Sequence, residues 1–387
     1  MTAEQVFQAP DLTDRELSAL AQLASCREDL VARYGEGRLA RWAGGLRRMS
    51  LARNVQASNS IEGYNASLDD VMMAMDGEQP MDANEETRQA VTGYRDAMTY
   101  VLQIADDPEV EVDAGLLRSL HFMMIKYDLS KSPGRWRPGP ISVIEHPSGN
   151  EVYKAPDHER ISNLIEAMII ELDSDHSVPV VRAAMAHLNL VMIHPFRDGN
   201  GRMARCLQTL ALAQDKISNP VFSSIEEYLG RNTPAYYAVL GSVGDGSWNP
   251  QRDAMPWVQF CLHAHLHQAE TVRRRFEEAE RLWESCVQLM MKHHLPPRTA
   301  AALWEAARGL KIRRPGYIKA VEQFEGEEIT NQSATRDLMT LVHAGLLEPR
   351  GETRGRHYVA SESLRGVWFE IRDSRPPILT PNPFETT

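Results

Sequence analysis

The feature that most constrains this chain is a helical hydrophobic pattern that runs with little interruption over 255–294, carries dense charge over 273–281, and stops at Leu295-Pro296-Pro297. Proline cannot continue a helix, so a domain boundary is expected at that stop. Helix-period patterning recurs upstream. Leu17, Ala19, Leu20 and Leu23 open an amphipathic segment, and further segments are predicted over 84–104, 114–127, 161–172 and 181–193. One island differs. Ser132-Pro133-Gly134-Arg135-Trp136-Arg137-Pro138-Gly139-Pro140 is dense in helix breakers. It precedes two short β-prone runs, 141–144 and 151–153, around His146-Pro147-Ser148-Gly149-Asn150, a pattern that predicts a hairpin. Beyond the proline stop, helices are predicted over 298–308 and 317–324, a third over 329–347, and then a tight turn at Gly351 and Gly355 before the β-prone His357-Tyr358-Val359. Helix, helix, helix, hairpin is the order of a winged helix-turn-helix module. The Pro-rich end, including Arg375-Pro376-Pro377, is expected to be disordered.

The chemistry is concentrated in His194-Pro195-Phe196-Arg197-Asp198-Gly199-Asn200-Gly201-Arg202-Met203-Ala204-Arg205. An apolar helix ends at a His-Pro pair, and proline disfavours helix for the residue before it, so His194 should turn out of the helix toward a loop. Phe196 can plug the core and anchor that loop. Asp198 is a hard oxygen ligand suited to Mg²⁺ shared with substrate phosphates. Gly199-Asn200-Gly201 lets backbone approach an anion, and the helix that follows turns its free N–H groups toward it. Arg202 and Arg205 lie on neighbouring positions of one helix face and can clamp phosphate oxygens. A base, a metal ligand, an anion nest and two arginines in one string describe a phosphate-transfer site.

This string resembles the signature of the Fic (filamentation induced by cAMP) family, HxFx(D/E)GNGRxxR, at every defined position. Leu120-His121, Pro133-Gly134-Arg135 and the hairpin resemble the family's flap, which implies that Ile141, Ser142 and Val143 hold the target segment. Ser224-Ile225-Glu226-Glu227-Tyr228 with Tyr236-Tyr237 resembles the segment that closes the nucleotide pocket, although Gly244 stands where relatives often carry asparagine. The resemblance covers about 57–260. It implies a helical Fic (Fido) core that transfers AMP from ATP to a Ser, Thr or Tyr hydroxyl of a target protein. His194 would be the general base. Asp198, Gly199, Asn200, Gly201, Arg202, Met203, Ala204, Arg205 and Tyr236 would bind nucleotide, with Mg²⁺ on Asp198. Upstream, Ser58-Asn59-Ser60-Ile61-Glu62-Gly63 matches the family's inhibitory pattern, (S/T)xxxE(G/N). By that likeness Glu62, supported by Ser58 and Gly63, pairs with Arg205 in place of the ATP γ-phosphate, within one chain or across a homodimer.

The expected fold is therefore mainly α: 1–111 an N-terminal helical region with the inhibitory helix, 112–265 the catalytic core, 266–295 a connecting helix, 296–365 the winged helix, and 366–387 a disordered tail. The leading function is an autoinhibited protein adenylyltransferase, self-modification included. A second reading is removal of AMP, or transfer of another phosphate-containing group. A third is a winged-helix regulator with a nucleotide-sensing core, which the intact His194 disfavours. The net charge of −11 excludes a chain-wide nucleic-acid footprint. In the C-terminal module Ser333, Thr335, Arg336, Arg350, Arg354 and Arg356 are nearly balanced by acids, so protein contact is favoured over DNA. His263, His265 and His267 lack a following HExxH glutamate and read as a solvated helix face rather than a zinc site. Four scattered cysteines, no membrane-length apolar run and a polar N-terminus point to a reduced cytoplasmic setting.

Overall fold

The computed structural model describes residues 4–34, 42–78, 83–145, 148–173, 178–214, 223–352, 355–377 and 381–385. The described chain is mainly helical. In order it forms α1 (Asp14–Tyr34), α2 (Ala43–Ile61), α3 (Leu68–Met75), α4 (Glu85–Ile104), α5 (Ala114–Ile125), β1 (Ser142–Ile144), β2 (Glu151–Lys154), α6 (Ile161–Leu172), α7 (Pro179–Ile193) and α8 (Asn200–Gln214). There follow α9 (Glu226–Arg231), α10 (Thr233–Gly244), β3 (Gly246–Ser247), α11 (Met255–Lys292), α12 (Thr299–Ala307), α13 (Arg314–Glu325), α14 (Asn331–His343), β4 (Leu347–Arg350), β5 (His357–Ala360) and α15 (Glu362–Asp373). Some starts are set by side-chain caps: Asn84 accepts the Thr87 N–H at 2.8 Å, and Asp113 accepts that of Leu116 at 2.6 Å.

Helices α7 and α8 form the centre. Nearly every α7 residue from Val180 to Leu190 is buried, and α8 is buried from Arg202 to Ala213. Some of the polar groups enclosed there are paired. His187 donates from Nδ1 to Gln208 Oε1 at 2.6 Å and accepts the Tyr236 hydroxyl on Nε2 at 2.9 Å. Burial drops its pKa to about 3, which keeps the ring neutral. The long α11 lies against α7, with Trp257 donating its indole N–H to the Ala184 carbonyl at 2.7 Å. Helix α2 is buried along most of its surface rather than along one stripe, and its enclosed residues include Arg48, Ser50, Asn54, Ser58 and Asn59.

The small sheet has the order β1-β2-β3. β1 and β2 pair antiparallel, with Val143 opposite Tyr153, and β2 runs parallel to β3. The outer edge of β1 is open among the described residues. The tip of this hairpin, His146 and Pro147, lies outside the described residues, as does Arg354.

After α11 come three helices and the antiparallel pair β4–β5, with Leu347 opposite Ala360. Ile312 adds to this pair by exchanging both backbone hydrogen bonds with Tyr358. Two expectations are corrected in this half of the chain. Residues 366–373 are not tail: they complete α15, whose Leu364 and Ile371 face inward. The described residues beyond it also dock, since the Pro383 carbonyl accepts from Arg15 at 2.7 Å. The triple-histidine face is not solvated either. His265 is 2% exposed, and His263 and His267 are half-buried against the Tyr228 ring. Among the described residues no group of three or more side chains of metal-ligating type is gathered, and all four cysteines are free.

Candidate active site

The site forms where α7 ends. Proline after His194 stops the helix, and His194 takes a left-handed backbone conformation with φ +51°. Its N–H still closes the last turn onto the Leu190 carbonyl at 3.0 Å. The ring donates from Nδ1 to the Val191 carbonyl at 3.1 Å, which leaves the lone pair of Nε2 free. Burial lowers the imidazole's pKa, so the neutral, proton-accepting form prevails at neutral pH.

The loop that follows is fastened from within. Phe196 is fully buried and stacks on His121, with centroids 3.7 Å apart and planes 4° from parallel. Asn200 brackets the loop, accepting the Phe196 N–H and donating to the Phe196 carbonyl, each at 2.9 Å. His121 accepts the Gly134 N–H on Nδ1 at 2.8 Å and so donates from Nε2 to the Asp198 carbonyl at 2.9 Å. Burial takes its pKa to about 4. Gly199 turns with φ +77°, and Met203 N–H to Gly199 O (2.9 Å) is the first bond of α8. The N–H groups of Asn200, Gly201 and Arg202 precede that bond and open onto the site.

Glu62 occupies this opening. It caps the C-terminus of α2, where Gly63 supplies the left-handed turn with φ +86°. A Cβ at Gly201 would come 2.4 Å from Glu62 Oε1, so any larger residue there would push the carboxylate aside. The same oxygen accepts Arg205 Nη2 at 2.7 Å, while Arg205 Nε donates to Ser58 Oγ at 2.8 Å and Nη2 to the Ser58 carbonyl at 3.0 Å. Burial opposes the Arg205 charge, but Glu62 outweighs it and the guanidinium is held more firmly protonated than usual. Arg202 is also buried, its guanidinium 5.0 Å from the Tyr64 ring centre, and its Nε and Nη1 have no partner among the described residues.

Asp198 receives the Gly199 N–H on Oδ1 at 2.6 Å and Lys131 Nζ on Oδ2 at 2.8 Å. Burial would raise its pKa, but the lysine prevails and the carboxyl is held below its ordinary value. The donor set suits Mg²⁺: one ionised, partly exposed carboxylate, with the remaining positions left for phosphate and water.

Several expected site residues stand elsewhere. Met203 and Ala204 are fully buried. They pack in the protein core, so neither side chain faces the cleft. The Asn200 side chain serves the loop and leaves only its N–H for a ligand. Tyr236 is 1% exposed, as buried as Arg205 beside it, with its hydroxyl on His187. Tyr237 is the exposed ring, and its hydroxyl donates to the Ile61 carbonyl at 3.3 Å, against the end of α2. Ile141, Ser142 and Val143 are half-buried along the open edge.

The sequence reading assigned no role to Lys131, Tyr64 or Arg137. Arg137 is 4% exposed and donates to the carbonyls of His194 (2.8 Å), Gly139 (2.7 Å) and Pro156 (2.5 Å). A signal for it existed: a Pro/Gly-rich loop leaves carbonyls without partners, and an arginine inside it is the natural donor.

The Fic/DOC family profile matches residues 111–212, which span the hairpin and the whole of this loop. That match places a Fic/DOC domain over residues 111–212 of the chain. Among relatives, it is 29% identical over 215 residues to the protein adenylyltransferase Fic of Nematostella vectensis, covering 54% of this chain and 45% of that protein. It is 40% identical over 72 residues to protein adenylyltransferase fic-1 of Caenorhabditis elegans, covering 19% of this chain and 13% of that one. These matches span less than half of each relative's own length. In fold, it is similar to a Fic family protein from Desulfovibrio desulfuricans G20, with TM-score 0.59, 21% identity, and coverage of 92% of this chain and 99% of that one. Fic-1 from C. elegans superposes with TM-score 0.51 at 19% identity over 68% of this chain and 73% of that one.

Proposed function

We propose that this chain is a protein adenylyltransferase that Glu62 holds in check, transferring AMP from ATP to a hydroxyl of a target protein. The observation that carries the reading is the Glu62 carboxylate lying over Gly201 on Arg205, beside a histidine whose Nε2 is free. A carboxylate in an arginine-lined anion nest stands where a phosphate would bind.

In the active arrangement His194 Nε2 accepts the proton of the target hydroxyl, a transfer typically worth ~10²–10⁴-fold. The oxygen attacks the α-phosphorus, and pyrophosphate leaves. The N–H groups at the start of α8 hold the phosphate oxygens, and Arg202, with two unsatisfied donor atoms, takes the outer phosphates. Asp198 would hold Mg²⁺, whose contribution is to neutralise charge on the phosphates. Lys131 keeps that carboxylate ionised and oriented until then. Displacement of Glu62 frees Arg205 for the γ-phosphate.

The test is incubation of purified wild type, Glu62→Gly and Glu62→Gly/His194→Ala with labelled ATP and cell lysate. Label on protein that rises in the single variant and vanishes in the double variant is expected. Equal, histidine-independent labelling in all three would overturn the proposal.

A further inference from the structure

Away from the cleft, the junction of α2, α9, α11 and α12 gathers arginine in a chain whose net charge is −11. Arg53 lies within electrostatic reach of Arg231, Arg275 and Arg308, and Arg274 within reach of Arg275, with the carboxylates Glu227 and Glu278 among them. Both carboxylates are already engaged. Glu227 is held by Arg275 through two bonds of 2.6 Å and by Arg231 at 2.6 Å. Glu278 lies 3.7 Å from Arg274 and 3.4 Å from Arg375.

Arg53 and Arg308 are left over. Among the described residues neither has a carboxylate within ion-pair distance, and both turn to the same uncharged atom. Arg53 Nη2 is 3.9 Å and Arg308 Nη1 is 3.5 Å from the Met49 sulfur. Arg308 is clamped between two indoles, 4.2 Å from the Trp304 centroid and 5.0 Å from that of Trp368, and its Nε has no partner. Both residues are half-buried. Charges drawn out of water are ordinarily paired, and two like charges converging on a thioether are not.

We propose that Arg53 and Arg308 form a binding site for a phosphate-type oxyanion, held between α2 and the end of α12 with Met49 as its floor. Two planar forks from different helices suit a multiply charged, tetrahedral acceptor better than a single flat carboxylate. The surplus of positive charge around them calls for a dianion. Burial without a counter-charge also depresses both guanidiniums, Arg53 to about 10 and Arg308 to about 9, the condition that a bound anion relieves.

The experiment measures binding of inorganic phosphate, pyrophosphate and AMP to the full chain by calorimetry and by melting temperature. Saturable binding to wild type is expected, with at least a tenfold loss of affinity in Arg53→Gln and in Arg308→Gln. Without anion, both Gln variants should melt no lower than wild type, because an unpaired charge has been removed. The ranking of the three probes tells a free ion from a terminal phosphate on a larger molecule, and either supports the site. The proposal fails if phosphate does not saturate, if the Gln variants at 53 and 308 bind it as wild type does, or if affinity is lost only in Arg202→Gln. Should those variants not fold, wild-type crystals soaked in selenate decide the matter. An anomalous peak between the two guanidiniums supports the site, and its absence overturns it.

Discussion

The two ends of α2 use the same chemistry with opposite polarity. At its catalytic end α2 supplies a carboxylate, Glu62, to an arginine on α8. At its other end it supplies an arginine, Arg48, to two carboxylates, Asp76 at 2.5 Å and Glu305 at 2.6 Å. The surroundings make these contacts unlike. Arg48, Asp76 and Glu305 are each only 6–7% exposed, and Gly45 lies so close to the Phe324 ring that a Cβ would overlap it. Nothing can replace those partners without opening the core. Glu62 is 25% exposed, and the arginine atoms around it are under-satisfied, with Arg205 Nη1 and Arg202 Nε and Nη1 lacking partners. A richer anion can take its place. On the function proposed above, one end is a lock and the other a removable plug.

The largest expected effect tests whether the plugged end is a reaction centre. His194→Ala should cut AMP transfer by ~10²–10⁴-fold, with ATP binding retained by calorimetry. Transfer at the wild-type rate would leave the plug with nothing to inhibit. Next comes the lock. Arg48→Met leaves two carboxylates enclosed without their cation and should lower stability by ~3–5 kcal/mol in urea unfolding. A loss no greater than that of Glu62→Gly would erase the contrast between the ends. Third, Glu62→Gly should raise labelled-AMP transfer about 100-fold, corresponding to a preference of ~2.7 kcal/mol for the inhibited state. Its stability deficit should be recovered by ATP, whereas that of Arg48→Met should not.

The smallest effect concerns the carboxyl behind Arg205. Glu226 is 2% exposed, and burial pushes its pKa up to about 7 in spite of Arg205, the Tyr94 hydroxyl at 3.0 Å and Thr209 at 3.3 Å. A carboxyl raised above its unfolded value of 4.5 stabilises the fold fully below that value, and the contribution is lost as pH rises through about 7. The melting temperature of Glu226→Gln should therefore fall less than that of wild type between pH 5 and pH 8, as read by calorimetric scans at ~1-unit steps.

Local chemistry made the catalytic loop legible. Pro195 fixes the exit of His194, the glycines permit the nest, and Phe196 is apolar where the loop must be anchored. Glu62 was legible only through its likeness to a family pattern, because α2 has no apolar stripe: enclosed along most of its surface, it carries polar residues such as Arg48 and Ser58 that other elements satisfy. Lys131 against Asp198 and Arg137 against His194 join positions far apart in sequence, and no periodicity records such pairs. Helix α15 was readable and missed. Ser361 caps it, and Leu364, Val367, Trp368 and Ile371 follow at helical spacing, but the prolines after it drew the boundary too early. His265 failed in another way, since residue type does not tell which side of a helix the core lies on.

Arg137 carries a consequence for what could be modified. By joining the carbonyls of His194, Gly139 and Pro156 it stops the hairpin from sliding past the imidazole. An extended segment laid along the open edge of β1 would then be selected by parity. Its side chains alternate, so a shift of one residue turns the hydroxyl away and a shift of two presents the next candidate. An enzyme built this way would count along its target rather than fit a pocket around it.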